Sequence, residues 1–444
     1  MSTATNNPTI EDLESFDFLD LDAETLKNPY PFFKAVREQS PVFKEPHYGV
    51  YMVTRFEDVV SVARRPNVFS SVTAATGPLT PLPEQNSGEG VDDQIDQFRV
   101  ESGRKSLLTL DLPEHKRYRM LVNKLFTPKR LEEVEEYAKT LCNELIDEFI
   151  DDGKVEFIDG FAGPVPFLII AEVLGVPRED HAEFKQRLRG EEFRIGNPNV
   201  DQTQVGIEDT PPSDAGGVSM DLMQFLAGYF TKAIQDRREN PTDDIMSMLA
   251  NSTFPNSDEV PSLADIVGLA NILFGAGQET TVRLFTSGLQ VLLERPDVME
   301  ALRADPSLIP NFVEETLRYD TPVKGLFRVA REDAKVGDVI IPAGETVMIM
   351  WAAGNRDTDR FPDAESFDLY REDSNRTLSF GHGIHFCVGA PLARMEACMG
   401  FKILLSRLNN IRRPEDDNGD YSYLPSFIIR GLTQLNLEFD PASP

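Results

Sequence analysis

Apolar residues recur every three to four positions along most of the chain, which is the spacing of helices that bury one face. The longest such run begins after Ser262, a residue suited to an N-cap, and should stop at Pro296. Further helices are predicted for HKRYRMLVNKLF, RLEEVEEYAKTLCNELIDEFIDD, a stretch around 165–190, MDLMQFLAGYFTKAIQDRREN, SLIPNFVEETLRYD and LARMEACMGFKILLSRLNN. The pattern predicts a mainly α fold.

Shorter segments have strand character. From Pro41 the text VFKEPHYGVYMV predicts two strands with a turn at 47–49, followed by a short helix. AKVGDVIIPAGETVMIM predicts a hairpin that turns at 342–344, and a strand pair is predicted within 422–439. These sheets are accessories to the helices.

Two polar stretches, 74–106 and 191–217, have little periodicity and are predicted to be long loops. Loops of that length inside compact domains are usually functional or disordered. No linker or internal repeat divides the chain, so we expect a single domain over 1–444, with about the first 25 residues as a poorly ordered tail.

Composition narrows the function. The 444 residues carry 44 Lys and Arg against 74 Asp and Glu, a net charge of −30, which argues against nucleic acid or an anionic membrane as a partner. The N-terminus is acidic and polar, unlike a signal peptide, and no apolar run approaches the roughly 20 residues that span a bilayer. Three cysteines suit a reducing compartment, so we expect a cytoplasmic protein.

Cys387 lies in FGHGIHFCVG, a segment rich in glycine, histidine and phenylalanine. Gly381, Gly383 and Gly389 allow a tight turn and a close approach to a flat ligand. The helix that follows Pro391 offers its positive dipole end to a thiolate. This environment favours an ionised sulfur.

Three interpretations of this segment compete. A buried structural thiol does not account for the glycines. A zinc site of His382, His385 and Cys387 has suitable ligand types but no second CxxC or HxxxH half nearby. A haem iron held by an axial thiolate accounts for the glycines, the aromatic residues and the single sulfur together.

Two other motifs carry polar side chains inside predicted helices. In AGQETT, Gly275 and Gly277 each cost about 1 kcal/mol relative to Ala, so either the helix packs closely there or it opens. Glu279 and Thr280 follow, and by themselves they are ordinary polar residues of a packed helix. EETLR places Glu315 and Arg318 on one helix face, an arrangement that is common on surfaces.

FGHGIHFCVG resembles the FxxGxxxCxG signature of the cytochrome P450 family at Phe380, Gly383, Cys387 and Gly389. AGQETT resembles the family's oxygen-activating motif, and EETLR its ExxR motif. The resemblance extends in order from the strands near Pro41 to the C-terminal strands. It implies the cytochrome P450 fold, with a large helical region, a smaller β-rich region, and haem b between the long helix and the Cys387 loop.

The resemblance also implies roles. Cys387 would be the iron ligand, Thr280 would support the iron-bound oxygen, and Glu279 would relay protons. Glu315 and Arg318 would form a buried structural pair. His115, Arg119, Arg328 and His385 would donate hydrogen bonds to the haem propionates. Phe380 and Gly389 would also belong to the haem site.

One segment departs from the family pattern. Where an FxxPxRF-like stretch is expected, the chain reads FPDAESF, with Ala364 at the proline position and Ser366 at the basic position. Arg360 or Arg371 would have to replace the missing base, or the Glu315–Arg318 pair stands alone.

The implied activity is monooxygenation of a hydrophobic small molecule, with electrons from a separate ferredoxin or flavodoxin and its reductase. A basic cluster, or simply a solvated helix face, is formed by Lys116, Arg117, Lys124, Lys129 and Arg130. Two other interpretations stay open, a peroxide-driven peroxygenase and a non-catalytic haem protein.

The resemblance places substrate contacts in the two polar stretches and in apolar segments near 323–327 and 427–429. Lys324 is expected to point to solvent, or else to pair with a substrate carboxylate. Terpenoids, aromatic acids, fatty acids, steroids and macrolides all remain open. The expected pocket residues are Leu273, Ala276, Val323, Lys324, Leu326, Phe327, Phe427, Ile428 and Ile429.

Overall fold

The structure, a computed structural model, describes residues 13, 23–84, 90–102, 106–189, 220–417 and 419–442. The predicted loop at 191–217 lies outside the described residues, as does most of the predicted N-terminal tail. Within the described residues helices predominate and the sheets are small, as the sequence pattern predicts.

The described helices are α1 (Ala23–Lys27), α2 (Tyr30–Gln39), α3 (Phe56–Ala63), α4 (Val91–Ser102), α5 (Glu114–Asn123), α6 (Pro128–Asp147), α7 (Pro164–Leu174), α8 (His181–Arg189), α9 (Met220–Glu239), α10 (Ile245–Ala250), α11 (Leu263–Glu294), α12 (Pro296–Ala304), α13 (Ile309–Tyr319), α14 (Trp351–Gly354) and α15 (Ala390–Arg407). The described strands are β1 (Val42–Lys44), β2 (Tyr51–Val53), β3 (Phe69–Ser70), β4 (Lys154–Glu156), β5 (Leu326–Ala330), β6 (Ala334–Val336), β7 (Val339–Ile341), β8 (Thr346–Ile349), β9 (Leu408–Arg412) and β10 (Asn436–Pro441).

The described chain divides into two compact units. The first holds the described residues up to Leu112, together with Leu317–Cys387 and Tyr423–Arg430. It contains the sheet β1-β2-β8-β5-β3 and the pair β6-β7. The sheet packs on α3 and α14 through side chains such as Val53, Val59 and Trp351.

The second unit holds the described residues of Pro113–Thr316 and Val388–Ser422 and those from Gly431 on. Helices α7, α9 and α15 pack against α11, and α6 packs against α7 and α15. A small sheet in this unit has the order β4-β10-β9. The predicted long helix is confirmed. Ser262 caps α11 by accepting a bond from the N–H of Asp265, whose side chain accepts one from the N–H of Ser262, and Pro296 begins the next helix.

The predicted hairpin turn at 342–344 is wrong. β6 and β7 pair antiparallel around a turn at Gly337, where φ is 55°. Residues 342–344 instead lead from β7 into β8, which pairs with β2 and β5. Gly337 and Gly344 both adopt positive φ, so the presence of glycine alone did not distinguish the hairpin turn from the connection.

Two other predictions need correction. The stretch 74–106 is not a plain loop, because it contains α4, whose Ile95 and Phe98 pack against Val72 and Val329. Only two buried side chains mark this acidic helix, too few for a clear period. The predicted pairing within 422–439 is also wrong, since β10 pairs with β9 and β4.

No helix in the described part of the chain combines the length and apolarity needed to cross a membrane.

Candidate functional site

The Cys387 loop folds back on itself within the first unit. The N–H of Cys387 donates to the carbonyl of Phe380 at 2.8 Å, and Gly381 and Gly383 have φ of 70° and 74°. A Cβ at Gly383 would overlap the carbonyl oxygen of Ala63, so the loop requires glycine there. The Cys387 residue is exposed. The loop therefore presents a sulfur at its surface.

The other two cysteines are poor thiolate candidates. Burial raises the pKa of Cys142 to about 12, with Glu396 adding to the effect. Burial likewise raises the pKa of Cys398 to about 11, with Glu314 adding to it. Since the thiolate is the form that binds a metal, neither thiol is suited to ligation. Cys387 is the candidate ligand.

The two histidines of the loop have partners in the first unit. Arg64 Nε donates to His382 Nε2 at 2.7 Å, and burial, aided by the charge of Arg64, lowers the pKa of His382. His385 Nε2 lies 2.9 Å from Ser71 Oγ. In the described residues no three His, Cys, Asp or Glu side chains are grouped to hold a metal ion. The zinc interpretation gains no support.

Arg328 on β5 is a buried cation that fits an anionic ligand. Its side chain is 4% exposed, and burial lowers its pKa to about 10, against the opposing charge of Asp111. Its one hydrogen bond to a described residue runs from Nη1 to the carbonyl of Phe327, at 2.6 Å. A guanidinium has five N–H donors in a fork that matches a carboxylate. The remaining donors suit a group such as a haem propionate.

Asp111 is a hub that the sequence analysis missed. Its carboxylate accepts bonds from Ser70 Oγ (2.5 Å), Ser71 N (2.8 Å), Arg99 Nη2 (2.6 Å) and Arg331 Nη2 (2.7 Å). Ser71 connects this hub to His385, and Arg99 connects it to α4. The available signal was its place as the first residue of the segment DLPEH, just before α5.

His115 and Arg119 belong to the second unit, on α5. His115 is buried, whereas Arg119 is half-exposed and its Nε donates to Asn123 Oδ1 at 3.1 Å.

Helix α11 carries the AGQETT segment without interruption, so the suggestion that it opens is wrong. A Cβ at Gly277 would meet Ile170 at ordinary contact distance, and one at Gly275 would meet nothing. Thr280 Oγ1 donates to the carbonyl of Ala276 at 2.8 Å. Ala276 is exposed and Thr280 half-exposed, so they share an accessible face.

Glu279 faces a different environment from its neighbour Thr280. Its side chain is 2% exposed and forms an ion pair with Arg283, one turn later on α11 and fully buried. Arg283 Nε donates to Glu279 Oε1 at 2.7 Å, and its Nη2 donates to the same oxygen. The ion pair between Glu279 and Arg283 was not predicted from the sequence.

Glu315 and Arg318 are both fully buried on α13. Within the first unit, Arg318 donates to backbone carbonyls of the FPDAESF region, Nη1 to Ala364 at 2.8 Å and Nη2 to Ser366 at 2.9 Å. Main-chain carbonyls of this segment therefore hold the Arg318 guanidinium. The side chain of Ser366 is not needed for these bonds.

Arg371 is one of the basic residues that reach this segment, and Arg356 is another. Its Nη1 donates to Pro362 O at 2.7 Å, and its Nη2 reaches the Ser366 carbonyl, which Arg318 also uses, at 3.3 Å. Arg360 instead pairs with Asp373. Of the two replacements considered, Arg371 is the one whose side chain bonds to main-chain carbonyls of this segment.

The two apolar segments expected to contact substrate pair with each other in the first unit. Val323 bridges Ile429, the N–H of Lys324 donates to Ile428 O at 2.7 Å, and the rings of Phe327 and Phe427 meet edge to face at 5.7 Å. Leu326 begins β5 beside them. On α11, Leu273 is 9% exposed.

Lys324 does not point to solvent, so that expectation is wrong. Its side chain is 4% exposed and Nζ donates to the carbonyl of Ser426 at 2.6 Å. Burial lowers its pKa to about 7; the charge of Arg430 acts in the same direction, and that of Asp320 opposes it.

Comparisons with known proteins agree with this geometry. The family model described as Cytochrome P450 matches residues 68–430. Cytochrome P450 107B1 of Saccharopolyspora erythraea is 34% identical over 87% of this chain and 88% of its own length. The vitamin D(3) 25-hydroxylase of Pseudonocardia autotrophica is 32% identical over 94% of this chain and 95% of its own.

Solved structures show the same similarity. The substrate-free cytochrome P450 CYP150A6 of Mycobacterium marinum is 38% identical, with a TM-score of 0.86 over 97% of this chain and 100% of its own. CYP109E1 of Bacillus megaterium in complex with testosterone is 29% identical, with a TM-score of 0.74 over 93% of this chain and 99% of its own.

Proposed function

The chain belongs to the cytochrome P450 family, and we propose that it hydroxylates an uncharged hydrophobic molecule of steroid type, with Cys387 as the thiolate ligand of haem b. The observation that carries the proposal is that one unit contains both an exposed cysteine on a glycine loop and a buried cation, Arg328, with one hydrogen bond to a described residue. The chain functions as a single P450 domain in this proposal.

The residues present fit the cofactor. Cys387 would hold the iron, Phe380 and Gly389 would flank the sulfur in sequence, and Arg328 would donate to a propionate. His385, His115 and Arg119 are further candidate donors to the propionates. When bound, haem b supplies the activation of dioxygen that inserts one oxygen atom into the substrate.

In this proposal Glu279 and Thr280 of α11 deliver protons. The Thr280 hydroxyl donates to Ala276 O, which leaves its oxygen free to accept a bond on the accessible face of the helix. Glu279 is the acid that passes protons toward it. A positioned acid contributes about 10²–10⁴-fold to such a transfer.

Lys324 favours an uncharged substrate. Its ammonium is buried and already bound to the Ser426 carbonyl, so it is not displayed as a counter-ion for a substrate carboxylate. The neighbouring side chains Val323, Leu326 and Phe327 are apolar. The names of relatives support a steroid-like class, since one is a vitamin D(3) 25-hydroxylase and another was solved with testosterone.

In this proposal electrons come from a ferredoxin or flavodoxin and its reductase. The basic patch proposed to bind the redox partner contains fewer available cations than the sequence suggested, because two of its five residues form ion pairs. Arg117 pairs with Glu259 at 2.5 Å and stacks on Phe254, and Arg130 pairs with Glu133 at 2.7 Å. Lys116, Lys124 and Lys129 are exposed. A cytoplasmic location is part of the same proposal.

Titration of the ferric protein tests the substrate class. Testosterone and vitamin D3 are expected to give a saturable low-spin to high-spin shift, and hexadec-9Z-enoic acid a weaker one. A stronger shift with the acid than with its methyl ester would overturn the uncharged-substrate proposal. Absence of a haem Soret band would overturn the assignment of Cys387, and faster turnover with peroxide than with ferredoxin would contradict the monooxygenase mechanism.

A further inference from the structure

The buried pair Glu279–Arg283 is costly to place where it is. Each ion loses its hydration on burial, and only good geometry with further hydrogen bonds offsets that cost. Glu279 is 2% and Arg283 0% exposed at the side chain. Pairs one turn apart are usually solvated surface pairs, so a fully buried one inside the longest helix calls for a reason.

The two carboxylate oxygens of Glu279 differ in their hydrogen bonds. Both donors of Arg283 that reach the carboxylate, Nε and Nη2, converge on Glu279 Oε1. The other oxygen, Oε2, is buried and has no hydrogen-bond partner among the described residues. Because buried carboxylate oxygens normally accept bonds, an exception of this kind is a candidate for a catalytic role.

Arg283 is itself fixed from the other side. Its Nη1 donates to the backbone carbonyl of Leu432, in the chain that leads to β10. Residue 431 is glycine for a visible reason, because a Cβ there would overlap Arg283 Cδ. The guanidinium is thus held between a carboxylate of α11 and a main-chain carbonyl, with no space for another side chain at 431.

We propose that Arg283 is a positioning residue for proton delivery, which fixes the Glu279 carboxyl so that Oε2 alone takes up and passes on a proton. Protonation at Oε1 would break two charge-assisted bonds, whereas protonation at Oε2 breaks none. In each transfer Oε2 gains a proton from a water-borne donor and then gives that proton up toward the Thr280 hydroxyl. No electrons are exchanged by these residues.

This inference rests on the proposed function, in which Glu279 is the acid that delivers protons; it adds that Arg283 fixes the orientation of the Glu279 carboxyl. Two variants of the pair separate its parts. R283K keeps the charge but loses the fork that grips Oε1. G431A keeps Arg283 itself and forces it away from its present position. A misplacement of about 1 Å can cost about 10²-fold in a positioned reaction.

The readout is the ratio of water to hydrogen peroxide formed from oxygen, with NADPH, a surrogate ferredoxin and its reductase, measured without substrate and with testosterone. Water formation needs more protons per oxygen than peroxide formation does. Both variants are expected to lower the ratio about tenfold, with an enlarged solvent isotope effect and an unchanged haem spectrum. An unchanged ratio in both would overturn the inference.

A double-mutant cycle distinguishes failure of the inference from failure of the proposed function. E279Q alone should lower the ratio, and adding R283K should then change it little, because Arg283 acts through Glu279. Additive effects of E279Q and R283K on the ratio would mean that Arg283 acts independently of Glu279, and they would overturn the inference. No effect of E279Q would instead sink the proposed role of Glu279. A crystal structure of G431A should show Arg283 withdrawn from Oε1, and an undisturbed pair would contradict the packing argument.

Discussion

Glu396 on α15 shows how burial alone can set the state of one side chain. It is 2% exposed, and burial raises its pKa to about 8, with a smaller opposing effect from a hydrogen bond to Thr281. The ionised form of Glu396 would also raise the pKa of Cys142 on α6. The carboxyl is therefore neutral at pH 7 in the folded protein.

This shift makes stability depend on pH. The unfolded carboxyl ionises near the ordinary glutamate pKa of 4.5 while the folded one stays neutral to about 8, so stability is fully present below 4.5 and is lost as pH rises through this window. E396Q should remove that loss, on the order of a few kcal/mol. Thermal unfolding midpoints at pH 5.5 and 8.5 measure it, and equal slopes for wild type and E396Q would refute the burial argument.

Single residues were predictable where a motif has a fixed chemistry. Cys387 could be singled out because only its neighbours favour a thiolate. Arg283 was not, because an acid and a base one turn apart look the same in sequence whether the helix face is buried or solvated. Lys324 was misjudged for a related reason, since its carbonyl partner, Ser426, lies about a hundred residues away in the chain.

At the scale of elements, helix ends were more predictable than strand pairs. Ser262 and Pro296 bound α11 through local chemistry, a capping box and a missing N–H. The partners of β10 are set by contacts distant in sequence, so the strand was recognised near its place but its pairing was not. α4 was missed because only Ile95 and Phe98 are buried along it.

Two helical glycines should respond oppositely to alanine. Gly228 on α9 is exposed and has nothing within reach of an added Cβ, so G228A should stabilise by about 0.5–1 kcal/mol through backbone entropy. A Cβ at Gly288 on α11 would overlap the ring of Phe401, so G288A should destabilise by about 1–3 kcal/mol. Thermal shifts of the same sign for both would contradict the packing of α11 on α15.

At the scale of the whole molecule, net charge constrains the partner more than it constrains the fold. With a net charge of −30, the chain repels an acidic ferredoxin except where cations cluster. The family resemblance predicted the fold of the whole chain correctly, because its motifs span most of the chain. It did not show which cations of the basic patch form ion pairs within the protein.

Electron transfer should depend on Lys116 and Lys124, two of the three exposed lysines of the patch. K116E/K124E should slow reduction by ferredoxin about tenfold at low salt, with the difference shrinking as salt screens the charges. Stopped-flow reduction at several ionic strengths measures this, with K154E/K335E, a change of equal charge at two exposed lysines outside the patch, as the matched control. Equal slowing by the control would show a net-charge effect and no specific docking.

Ligation of haem by Cys387 is the central claim, and the ferrous carbon monoxide spectrum of three single variants tests it most directly. C142A and C398A should keep the red-shifted Soret band of a thiolate-ligated haem, because burial holds both of those thiols protonated. C387A should lose that band. A thiolate spectrum that survives in C387A, or disappears in either of the other variants, would contradict the account.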